Sequence, residues 1–157
     1  MLSRFLILLV LFCLCFIVQE SGVLMAWGVL PNLILILFLF VICRGERPAV
    51  IGALLFVSVV VAYVRTPFWA GEALAFAGVV AVCAFCYRWL TGNDLFDYAI
   101  LLLSGSAVLE FLTTLVSSAP FRFVPFFVAV GYTVVLGMVL WFVVPASLRV
   151  AKPGTDF

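Results

Sequence analysis

The chain has 157 residues, 68% of them hydrophobic and 10% charged, with a net charge of +1 and a mean hydropathy of +1.43. A soluble domain carries about a quarter charged residues, so this chain cannot wrap its apolar surface in polar surface, and a bilayer has to be its solvent. The balance of charge offers no basic face to nucleic acid, and the absence of His removes the commonest metal ligand and the commonest general base near neutral pH.

The first apolar segment runs from Phe5 to Val18, behind the short basic start Met1 to Arg4. That pattern fits a signal peptide, but the following VQESG offers no small-residue cleavage site, so an uncleaved first span is expected. Gln19, Glu20, Ser21 and Gly22 form the first turn. The second segment, Val23 to Cys43, is interrupted by Pro31-Asn32, and only the part after Pro31 reads as a clean helix. Pro lacks an amide proton and disfavours helix in the residue before it. Gly22 to Leu30 is therefore either a re-entrant stretch anchored by Trp27, or a longer outer loop leading to a helix with Pro near its first turn; the second is the plainer reading.

Arg44-Gly45-Glu46-Arg47-Pro48 connects to the third segment, Ala49 to Val64, which ends at Arg65-Thr66-Pro67. The fourth, Glu72 to Leu90, is rich in small residues that let helices approach closely, and it ends at Thr91-Gly92-Asn93-Asp94. Its Cys83-x-x-Cys86 reads as two packing residues rather than a redox pair. The fifth runs from Asp97, an expected helix N-cap, to Val116, and ends at Ser117, Ser118 and Pro120. The sixth, Val124 to Leu148, carries Gly131 and Gly137 as a further small face, and the polar tail Arg149 to Phe157 follows.

About 20 residues of helix cross a hydrocarbon core of about 30 Å, whereas a membrane barrel needs short alternating strands. The expected fold is thus an all-α, six-transmembrane-helix bundle over residues 1–148 with a cytoplasmic tail at 149–157. With the N-terminus inside, Arg4, Arg44, Arg47, Arg88, Arg149 and Lys152 fall on the cytoplasmic side and only Arg65 and Arg122 outside, which is the positive-inside bias.

Within the fifth segment, Glu110 is the residue that demands a reason. It lies about 13 residues in, about 20 Å from the cytoplasmic start, and a mid-span acid costs a few kcal/mol unless it faces helices or a watered cavity. Ser106, Thr113, Thr114 and Ser117 lie one or two turns away and share its face. Glu110 is thus either a group that contacts a ligand, proton or partner, or a helix-packing group; Arg122 and Arg65 are candidate counter-ions. No Ser has a His base and no acids pair within a span, so no catalytic constellation and no metal site is expected.

The end of the first span at Ile17-Val18-Gln19, the string Pro31-Asn32-Leu33-Ile34-Leu35-Ile36-Leu37, the basic turn Arg44-Gly45-Glu46-Arg47, Gly52 in the third span and Gly71-Glu72-Ala73-Leu74-Ala75 together resemble the MreD family of bacterial rod-shape proteins. The resemblance covers nearly the whole chain in length and span count. It departs at Val59 to Tyr63, where the family often carries an Asp and this chain has no acid. It implies a non-catalytic, multi-pass protein of the bacterial inner membrane, surrounded by lipid. Such a protein would bind an MreC-like bitopic partner and help couple cytoskeletal filaments to peptidoglycan synthesis, with no cofactor and no known small-molecule ligand. The family fold is similar to that of substrate-binding subunits of energy-coupling-factor transporters, so capture of a vitamin or metal is the alternative.

Overall fold

The structure, a computed structural model, describes residues 2–25, 28–43, 48–65, 70–90, 94–117 and 120–143, and among these all regular elements are helical. Six α-helices follow one another: α1 (Leu2–Ser21), α2 (Leu33–Cys43), α3 (Pro48–Arg65), α4 (Ala70–Cys86), α5 (Asp94–Val116) and α6 (Phe123–Val143), with a 3-10 turn over Tyr87–Trp89 after α4. In α5 the stretch Leu95–Val116, and in α6 Phe123–Val143, are long and apolar enough to cross a membrane. The apolar stretches of the other helices are shorter.

Several boundaries differ from the sequence reading. α1 runs on through Gln19 and Glu20, because both are good helix formers. It stops where Gly22 adopts a positive φ of 68°, and the Gly22 N–H turns back to the carbonyl of Gln19 at 3.4 Å, as at a glycine-terminated helix end. The fourth helix ends at Cys86 rather than Leu90, its last residues tightening into the 3-10 turn. α5 starts at Asp94, so Asp97 sits inside the first turn, 1% exposed, and is not the N-cap. Residues 144–157, including Arg149 and Lys152, lie outside the described residues, as do Trp27, Arg44 and Arg47.

The second segment makes the architecture. Pro31 stands ahead of α2 rather than in its first turn, because Asn32 takes the cap: its Oδ1 accepts the Leu35 N–H at 2.9 Å. The described residues from Gly22 to Leu30 form turns and extended chain. Beyond the cap, the sequence LILILFLFVIC is apolar on every face, and such a helix has to be surrounded. Every residue from Leu35 to Cys43 is buried, and α2 packs against each of the other five helices.

Consecutive helices run antiparallel. α1, α3 and α5 finish, and α2, α4 and α6 begin, at one end of the bundle, which we call the Gln19 end; the opposite end is the Cys43 end. At the Cys43 end the Tyr87 hydroxyl donates to the last carbonyl of α2, at Cys43, over 3.0 Å. Nearby, Tyr98 stacks on Trp141 at 4.8 Å, Phe40 meets Trp141 edge-on at 5.9 Å, and the Tyr98 hydroxyl donates to the Gly137 carbonyl at 3.3 Å. Gly137 is needed there, since a Cβ would drive into Leu102 of α5. Gly131, by contrast, faces open space, so the small face of the sixth helix is one close approach rather than two. Cys83 is buried against Gly105 of α5, whereas Cys86 is exposed and all five cysteines are free.

Candidate functional site at the Gln19 end

α2 has 11 residues, about 16 Å of helix, while α3 to α6 have 17 to 23. Its C-terminus is level with the end of α4, so the shortfall appears at its N-terminus. The Asn32 N–H donates to Thr133 Oγ1 at 3.2 Å, and Thr133 lies ten residues into α6, about 15 Å below that helix's first residue. A helix start leaves backbone donors without intrahelical acceptors. The sequence supplies their partners: Asn32 Oδ1 for Leu35, Gln19 Oε1 of α1 for the Ile34 N–H at 3.4 Å, and the Pro31 carbonyl for the Leu33 N–H at 3.1 Å.

Next to this helix start lies a cavity of about 440 Å³ walled by α1 to α5. Phe12, Phe16, Ile34, Phe76 and Leu109 give it apolar walls, and Gln19, Glu20, Asn32, Ser58, Glu72 and Thr113 give it a polar lining. Glu72 belongs to the first turn of α4, where the helix dipole favours a negative charge. The Ser58 hydroxyl donates to the Leu54 carbonyl at 2.8 Å, and that of Thr113 to the Glu110 carbonyl at 3.0 Å.

Glu110 itself faces elsewhere. It lines a second opening of about 430 Å³ with Thr114 of α5, Arg122, Pro125, Phe126 and Ala129 around the start of α6, and Gly28 to Leu30 of the connecting segment. The structure thus brings Glu110 and Arg122 to one opening. The Arg65 side chain lies outside the described residues. Ser106 is 2% exposed and donates to the Leu103 carbonyl at 3.1 Å. The polar stripe expected on α5 therefore divides: Glu110 and Thr114 to one opening, Thr113 to the other cavity, Ser106 into the core.

The larger cavity went unread in the sequence. Gln19 and Glu20 look like turn residues after an apolar run, and Glu72 like the polar start of a span; only Glu72 beside the small Ala73, opening a helix next to a proline-delayed one, hinted at space. Among the described residues no group of three His, Cys, Asp or Glu side chains could hold a metal ion. No family model matches the chain, nor does any curated protein or solved structure.

Proposed function

We propose that the chain is a six-span bacterial inner-membrane protein with both termini in the cytoplasm, acting without catalysis as an MreD-like subunit of the cell-shape machinery. α5 and α6 supply the two clear spans; α1, α3 and α4 cross beside them, and α2 fills the middle with the chain that precedes it completing its crossing. Its work is to hold an MreC-like bitopic partner, and through it to link cytoskeletal filaments to peptidoglycan synthesis. The observation that carries this reading is the opening between α5 and α6. Glu110 lies there about 9 Å inside the outer end of α5, with Arg122 and the exposed Phe121 also in the lining and the exposed Phe111 packed edge-on against Phe121. A transmembrane helix with a polar side chain at that depth would satisfy the acid, and its apolar face would cover the rings. Affinity capture from native membranes, with partners identified by mass spectrometry, tests it: an MreC-like protein is expected, and its repeated absence would count against the assignment.

A second reading has its own observation. The cavity beside the start of α2 has the size and mixed lining of a small-molecule site, which fits a capture subunit of a transporter. Saturable binding of a small molecule by the purified protein would favour it.

A further inference from the structure

We propose that the cavity beside the start of α2 binds a small organic cation with an apolar body, such as an aryl-alkyl amine or quaternary ammonium. This rests on the second reading above, that the cavity is a small-molecule site. The space has a structural origin: α2 stops short, and five helices wall what it leaves. Its volume of about 440 Å³ falls within the roughly 300–1,000 Å³ typical of ligand pockets.

The sign of the ligand follows from which hydrogen-bonding groups are already used. A helix N-terminus ordinarily invites an anion, but here the N–H groups of Asn32, Leu33, Ile34 and Leu35 all have protein acceptors. The hydroxyl protons of Ser58 and Thr113 are spent on their own helices, so their oxygens face the cavity as acceptors. The carboxamide NH₂ groups of Gln19 and Asn32 are the neutral donors that line it. Against these stands the carboxylate of Glu72, half-buried in the wall. Among the described lining residues there is no Lys or Arg. The described lining is thus rich in acceptors, with Glu72 as its half-buried acid. Phe12, Phe16 and Phe76 in the lining suit an apolar body, and aromatic rings attract cations.

Binding to the purified full-length protein in nanodiscs, followed by saturation-transfer NMR and by the shift in thermal unfolding midpoint, tests this with three probes of similar shape: benzyltrimethylammonium, neutral neopentylbenzene and the anion 3-phenylpropionate. The cation is expected to bind saturably and the other two not. Glu72→Gln should weaken it at least about tenfold, Ala73→Leu should abolish it by filling the cavity, and Cys86→Ser at the opposite end should leave it unchanged. If no probe binds, both the cation and the small-molecule reading of the cavity fall. If the neutral or anionic probe binds as well as the cation and Ala73→Leu blocks it, the site stands and its preference for cations is wrong. Cation binding untouched by both Glu72→Gln and Ala73→Leu would also overturn the proposal.

Discussion

At the scale of the residue, several of the described polar side chains have tasks that their neighbours define. Asn32 caps α2 and hands its own N–H to Thr133. Asn32→Ala should lower stability by about 1 kcal/mol through loss of the cap, visible as a lower unfolding midpoint in mild detergent. Thr133→Val should cost about 1–3 kcal/mol, since it removes the acceptor of the part-buried Asn32 N–H and Thr133 is itself 1% exposed. Glu110 differs, because its side chain faces an opening rather than the core. Glu110→Gln keeps the shape and removes the charge; we expect unchanged expression and a fall of about tenfold in partner recovered by capture, equivalent to ~1.4 kcal/mol. Unaltered recovery would make Glu110 a packing group.

At the scale of the element, hydropathy located six helices, because runs of Leu, Val and Phe between charged turns have few other solutions in lipid. It did not say which helix lies in the centre. LILILFLFVIC in α2 and the runs in α1 and α6 look alike in composition, and only length separates them: the helix too short to cross unaided is the one buried all round. Pro31-Asn32 carried the signal for where α2 begins, and the cap geometry moved that start two residues past the proline. The division of the α5 stripe was not legible, since residues sharing a helix face within about 100° can still look into different spaces once α4 and α6 flank that face. The close approach of α5 and α6 at Gly137 gives a prediction at this scale. Gly137→Leu should overpack the helix pair against Leu102, cost about 1–3 kcal/mol and reduce the folded yield on size exclusion, whereas Gly131→Leu, into open space, should not.

At the scale of the whole molecule, the account is a ring of helices around a short apolar hub, with both polar openings at the Gln19 end. In the proposed topology, Arg4, Arg44, Arg47, Arg88, Arg149 and Lys152 would lie on one side and Arg65 and Arg122 on the other, which would turn the Gln19 end outward. Both functional readings depend on this, because a bitopic partner's outer segment or an external solute can reach Glu110 or Glu72 only if that end faces outside. The direct measurement is a pair of reporters fused after Phe157: a fluorescent protein that matures in the cytoplasm and a phosphatase that works only in the periplasm. Six crossings predict a fluorescent fusion and an inactive phosphatase. An active phosphatase with a dark fluorescent fusion would contradict the account.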